Sequence, residues 1–495
     1  MELQFHKTMH PCLQRVKWEV QDQEQTQEMR LTDGMPDIGR VLGAWGQVLL
    51  RSKEWRSGSM NLSGGVMVWV LYAPEDGTEP RSMEGWIPFQ MKWDLPDVQN
   101  DGNMLVRTLL RSVDARSISA RKLMVRVGVS CLAEALVPGE VALYSPGELP
   151  EDVKLLMNTY PMQLPSEAGE KPFVVDEYLP DGLKETEKII YYTVQPELVE
   201  QKVMAGKVVF RGVVRLHILY RGEDGKLYHK HTEFPFSQFS ELEGTFGPEA
   251  TAQVCFGVTS LELDTEPDGQ LHLKAGLVGQ YVICDRKMIE VVSDAYSTIY
   301  PVKLQMEELM LPACLETQTK RISAEITTDA QGTEIADLTF LPDNSRTMHL
   351  EDSVSVALSG QFQMLYYDLE NRLQCASPRW EGEWNIPADH NNQILSSVSS
   401  VGRPQGTINA GGAQLEGQMQ VDAVSTALEG LQMVVGLEIG EADPIERPSL
   451  ILQKAGNRTL WELAKSSRST VEAIAKANDL QSEPDSQQIL LIPLV

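Results

Sequence analysis

The side chains in this sequence that could do chemistry are few and widely spaced. His229 and His231, in the stretch HKH, are two positions apart, so on a strand both imidazoles share one face. Such a pair could begin a metal site, but a metal needs three or four ligands, and no third is close in sequence. Solvent-exposed histidines are the plainer reading. The acidic pairs Glu75-Asp76 and Glu223-Asp224 are each followed by Gly, and there they read as turn chemistry rather than a carboxylate dyad. Cys12, Cys131, Cys255, Cys284, Cys314 and Cys375 form no Cys-x-x-Cys pair. That spacing speaks against a zinc ribbon or a thioredoxin-like site and for buried, reduced thiols. No Gly-x-Ser-x-Gly, His-Glu-x-x-His or phosphate loop occurs. The expectation is a protein that binds rather than catalyses, with no catalytic residues, metal or cofactor.

The 495 residues suggest three or four domains, and 42% hydrophobic with 23% charged residues is globular composition. A formal charge of −27 opposes nucleic acid or anionic membrane as the main partner. It serves solubility or attraction to a basic protein surface. The opening MELQFHKTMHPC has no uninterrupted apolar segment, so no secretory signal peptide is expected there. No run approaches the ~20 apolar residues of a membrane span.

The elements that would carry these residues recur. GVMVWVLYAPEDG from Gly65, GVVRLHILYRGEDG from Gly212 and GQFQMLYYDLEN from Gly360 share a Gly, an alternating strand and an acidic turn. With Tyr72, Tyr220 and Tyr367 as anchors, the spacings are 148 and 147 residues, and each copy closes near Pro88, Pro235 or Pro387. Tyr160 and Tyr300, in TYPMQL and IYPVKL, lie 140 apart. A period near 150 is too long for a solenoid and fits whole domains. The runs VMVWVLY and VVRLHILY are rich in β-branched and aromatic residues, and Asp-Gly favours tight hairpins. The predicted fold is mainly β: three antiparallel β-domains, sandwich or open barrel, at 1–163, 164–307 and 308–445. Leu164–Asp176 and Glu308–Thr319 read as joints, and PEDVKLLMNTY, Pro150–Tyr160, reads as a helix with an acidic first turn.

Residues 447–495 differ in style. A short strand at Leu450–Gln453 and a turn at Gly456-Asn457 precede Thr459-Leu-Trp-Glu462, a capping box. Ser469-Thr-Val-Glu472 reads as a second box, Asn478 as its helix stop, and QILLIP as a closing strand. The predicted order is β-α-α-β. Trp461 either packs with Leu460 or anchors a protein interface.

The repeated Gly, alternating strand, Leu-Tyr and Pro-Phe, with GMPDIGRVLG upstream, resembles the SPOCS domain of spore-forming Firmicutes. LPDGLKETEKII corresponds loosely in the second copy. The tail resembles a LysM domain. Gly456, Thr459, Leu460 and Trp461 match its opening, Thr470-Val471-Glu472 its second helix, and Asn478-Asp479-Leu480 its Asn-Asn-Leu. Asn457-Arg458 stand where the family has one Asp, and Asp485-Ser486-Gln487 stand for Pro-Gly-Gln. By that resemblance an N-acetylglucosamine site would lie between residues 456–459 and roughly 478–482, where no aromatic platform is found.

This combination is similar to clostridial spore-coat adaptors. The resemblance implies a non-enzymatic scaffold in the mother-cell cytoplasm at the forespore surface. Its tail would dock on an ATPase like stage IV sporulation protein A, and its β-domains would hold other coat proteins. Candidate binding residues are Gly456, Asn457, Arg458, Thr459, Trp461, Glu462, Lys465 and Asn478, with Glu472 and Lys476 as an alternative surface. The rival reading is a cell-wall protein that binds peptidoglycan or a chitin-like glycan.

Overall fold

Strict alternation along the central strands decides the architecture. In the strand Ser59–Pro74, Val66, Val68, Val70 and Tyr72 are fully buried in one core, while Trp69 and Leu71 are buried in another on the opposite face. A strand apolar on both faces must be covered on both. The computed structural model describes residues 2–494 except 57, 99–100, 181–182, 184–185, 205, 267–268, 313–316, 388–391 and 442–448.

The sheet Ile38–Arg56, Ser59–Pro74, Arg81–Asp94 packs on the sheet His6–Arg30, Lys122–Ser145, Asn103–Ser119 around one core. The sheet Thr186–Met204, Lys207–Gly222, Leu227–Glu241 packs likewise on Val153–Tyr178, Leu271–Ser297, Thr251–Thr265. A third core lies between the strands gathered on Ser353–Tyr367 and those gathered on Gly412–Ile439. All pairings are antiparallel.

The stretch Pro150–Tyr160 is not a helix. Val153–Tyr178 is one strand that pairs along its length with Leu271–Ser297, so tertiary pairing overrides the local helical signal. That strand also passes through Leu164–Asp176 without a break, and Val302–Pro312 passes through Glu308. These long strands form ribbons beyond the sandwiches, and Met162, Ile289, Leu309 and Met433 join them in shared cores. Glu2–Gln4 adds an edge at Gly436–Glu438, tying the start of the chain to its last long strand.

Three sheets carry the same irregularity. Leu42, Ile190 and Ala336 are each skipped in the ladder, opposite Leu71-Tyr72, Leu219-Tyr220 and Leu365-Tyr366 respectively. A bulge re-aims its strand, and here each bulged residue enters one apolar cluster shared with Leu71, Leu219 and Leu365. The tyrosines point the other way: Tyr72 and Tyr220 sit in their own cores, and Tyr366 packs against the third. The third anchor is therefore Tyr366, not Tyr367, which packs on the shared cluster. Pro387 also departs from the expected pattern, since it pairs with Ser353, whereas Pro88 pairs with Gly65 and Pro235 with Val213.

The turns that follow need a left-handed residue, supplied by Gly77 (φ 74°), Gly225 (φ 78°) and Asn371 (φ 60°). Asp76 and Asp224 accept backbone N–H groups two residues on, at 3.0 Å each. In the third turn Asp368, just before Leu369-Glu370-Asn371, does the same. Cys12, Cys131 and Cys284 are buried free thiols, and Cys314 lies outside the described residues. Among the described residues no helix is long and apolar enough to cross a membrane.

Candidate interaction sites

The tail is built from a strand at Leu450–Lys454, α1 at Leu460–Ser467, α2 at Val471–Ala477 and a strand at Ile489–Pro493 that pairs with the first. Gly456 turns the chain with φ 65°, and its N–H reaches the Ser486 carbonyl at 3.0 Å. Asn457 is exposed, and Arg458 donates to the Lys454 carbonyl at 3.2 Å. Thr459 caps α1: its Oγ1 accepts from Glu462 N at 3.2 Å, and Glu462 Oε2 accepts from Thr459 N at 2.8 Å. Glu483, which the sequence reading passed over, accepts from Leu460 N at 2.8 Å. Its carboxylate thus bridges the two loops flanking the expected sugar groove and fills donor capacity at the helix start.

The second cap differs from the expected box. The N-cap of α2 is Thr470, whose Oγ1 accepts from Ala473 N at 3.1 Å. Ser469 is fully buried, and its hydroxyl donates to the Pro493 carbonyl instead. Asn478 is occupied within the fold. Its amide donates to the Leu491 carbonyl at 2.7 Å and accepts from Leu491 N at 2.8 Å, as a neighbouring strand would.

Trp461 does two jobs at once. It packs against the tail core of Leu460, Leu463, Ala464 and Ile474, and its edge meets the ring of Tyr296 with centroids 4.8 Å apart. Trp461 Nε1 donates to Asp294 Oδ2 at 2.8 Å, and Lys465 Nζ pairs with Asp294 Oδ1 at 2.6 Å. Tyr296 donates to the Ser469 carbonyl at 2.8 Å, and Arg468 to the Ile299 carbonyl at 3.3 Å. Burial, with the charges of Glu472 and Asp294, pushes the Tyr296 phenol up to about 12, so it stays a donor. A bulge between Val292 and Asp294 sets the spacing of this contact. Trp461 and Lys465 therefore meet the chain's own second sandwich, while Glu462, Glu472 and Lys476 remain exposed. Asp294 and Tyr296 were missed because they sit 167 residues or so away in an otherwise ordinary strand, and only a polar Ser293-Asp294 step marks them.

A second site lies at the shared apolar cluster. Tyr191 and Asp337 are the residues following two of the bulges, and both are fully buried. Tyr191 donates to Asp337 Oδ2 at 2.6 Å, His217 Nε2 meets Asp337 Oδ1 at 2.8 Å, and Trp45 stacks on Tyr191 at 4.5 Å. Burial alone would raise the Asp337 carboxyl, but His217 and Tyr191 hold it below the usual carboxylate range. His231 Nδ1 lies 3.2 Å from His217 Nδ1. His231 is pushed down to about 3 by burial, then by the neighbouring His217, His229 and Arg403. So the HKH histidines are not the freely solvated pair expected: His231 is partly buried, and His229, though exposed, meets the Ala336 carbonyl at 3.0 Å. The signal was available in His217, directly opposite His231 in the ladder.

Residues 185–266 match the family model described as SipL, SPOCS domain. No curated protein and no solved structure matches the chain. The matched SPOCS segment holds the strands that carry Tyr191, His217 and His231, together with the bulge at Ile190. The match is to a SPOCS domain and covers that segment of the chain.

Proposed function

We propose that the chain is a non-enzymatic scaffold of spore-coat assembly, acting in the mother cell at the forespore surface. In this reading it has three SPOCS-like domains, around residues 6–145, 153–297 and 302–439, and a LysM-like tail. The match over 185–266 is the observation that carries it. The recurrence of the bulge at Leu42, Ile190 and Ala336 supports extending that match to the other two sandwiches. The tail docks on a coat-base ATPase like stage IV sporulation protein A, and the β-domains hold other coat proteins.

Because Trp461 and Lys465 are engaged with Asp294, docking falls to charged residues that the tail leaves exposed, Glu472 and Lys476 of α2 among them. Charged residues at such a rim steer encounter and fix register. The test is capture of the purified ATPase by the full chain and by a Glu472→Lys, Lys476→Glu double variant. Loss of capture with an unchanged melting temperature supports this face. Unchanged capture removes it.

A further inference from the structure

α1 carries two different sides. Leu460, Leu463 and Ala464 are buried in the tail core, while Trp461, Lys465 and Arg468 follow one another at helical spacing along the adjacent side. A strand of the second sandwich fills that side. The Asp294 carboxylate accepts from Trp461 Nε1 and Lys465 Nζ, and also from the Ala295 N–H at 2.8 Å. The Tyr296 ring meets the Trp461 ring, its hydroxyl donates to the Ser469 carbonyl, and Arg468 donates to the Ile299 carbonyl.

On the strand side these contacts come from one continuous stretch, Asp294 to Ile299. Asp294 and Tyr296 are two positions apart, so an extended segment turns both to one side. Any extended Asp-x-Tyr segment presents the same carboxylate and phenol at the same spacing. The folds on either side do not depend on the contact. Among the described residues of the tail core, Tyr296 alone comes from the sandwich. The ion pair is wet, with the Lys465 and Asp294 side chains 42% and 22% exposed, so both charges meet water when the contact opens.

We propose that this face of the tail is a recognition site for an extended Asp-x-Tyr segment of another protein, and that Asp294–Ile299 is a built-in occupant that competes with it. Tethering holds the built-in strand at a roughly millimolar effective concentration, so the chain alone stays closed and a partner that brings further contacts opens it. A second copy of the chain is a poor source of the segment. Its Asp294 is covered by its own tail, and Asp176-Glu177-Tyr178, which repeats the spacing, is engaged by His272. The site is distinct from the exposed Glu472 and Lys476, and it does not rest on what they bind.

The probe is a blocked, fluorescently labelled peptide with the sequence of residues 293–299, titrated by anisotropy into the full wild-type chain, Asp294→Ala and Asp294→Asn. Asp294→Asn keeps the shape of the side chain, so the comparison stands if Asp294→Ala loses its melt. The expected result is saturable binding that is tighter in the variants than in wild type, tenfold or more for Asp294→Ala. The same peptide carrying Asp294→Asn should bind about tenfold more weakly, because its hydrogen bonds are no longer charge-assisted. No saturation by a folded variant, equal binding by wild type and variants, or undiminished binding of the asparagine peptide overturns the site. Sedimentation of the wild-type chain over a range of concentrations names the occupant. A monomer throughout agrees with a segment of another protein, whereas a dimer that Asp294→Ala abolishes makes a second copy the occupant and overturns the proposal.

Discussion

Tyr191 and Asp337 hold equivalent places beside a bulge in two different sheets, and they meet through a 2.6 Å hydrogen bond at the apolar cluster to which Tyr191 belongs. The corresponding place in the remaining sheet is Gly43. A Cβ there would stand 2.5 Å from the Trp45 ring, so its absence gives that ring room beside Tyr191. One recurring backbone irregularity thus yields a buried donor, a buried acceptor and a space, and the three lock together.

Removing the donor should loosen this lock. Tyr191→Phe leaves Asp337 with one hydrogen bond fewer in a fully buried setting, and should cost about 1–3 kcal/mol. Thermal melts followed by circular dichroism would register it as a lower midpoint. An unchanged midpoint would mean the contact contributes nothing.

Acid should act through His231. Its pKa is about 3 in the fold against an ordinary 6.5, so between these values the unfolded chain binds the extra proton. The contribution is intact above about pH 6.5 and is lost as the pH falls toward 3. Burial first, then His217, His229 and Arg403, oppose protonation of His231, while Asp337 favours it. The carboxyl of Asp337, itself depressed, adds a loss of the same sign at lower pH. His231→Gln should flatten the melting temperature across pH 7 to 4, a window that lies within the shift. The same slope in wild type and variant would exclude His231 as its source.

Asp294→Ala should free the tail without melting it. The carboxylate receives Trp461 and Lys465, and hydrogen bonds to charged groups contribute about 1.5–3 kcal/mol. Lys465→Ala should matter less, since an exposed ion pair is worth about 0–1 kcal/mol. Hydrogen exchange of the Trp461 indole should accelerate strongly in the first variant and weakly in the second. Equal protection in all three chains would place the hold elsewhere.

Sugar should bind poorly. Asn457-Arg458 replace one acid, and Glu483 already bridges the two loops at Leu460 N. Titration with chito-oligosaccharide should give at most millimolar affinity, roughly −4 kcal/mol. Micromolar affinity would favour the cell-wall reading.

The mainly β, antiparallel character was legible because the alternation of VMVWVLY and VVRLHILY is a local property of each strand, whereas the choice between sandwich and open barrel was not. The turns were legible for a similar reason, since Gly77 and Gly225 advertise a positive φ. Register was not. Choosing between Tyr366 and Tyr367 depends on which face the strand turns inward, and a one-residue slip exchanges the faces. Bulges at Leu42, Ile190 and Ala336 leave no residue-type signature, so the common junction was hidden. The helix expected at Pro150–Tyr160 failed because its partner strand lies more than 100 residues downstream. At the tail, Thr459 and Glu462 could be read from spacing, whereas Asp294 and Glu483 enter only through folding.

The functional account turns on whether the tail is what holds the coat ATPase. The direct measurement is quantitative capture of purified stage IV sporulation protein A by the full chain and by a chain ending at Glu441, with circular dichroism on both. The account expects saturable capture by the full chain and loss of it in the shortened one, whose β-signal and melt are retained. Equal capture by the two chains would contradict it.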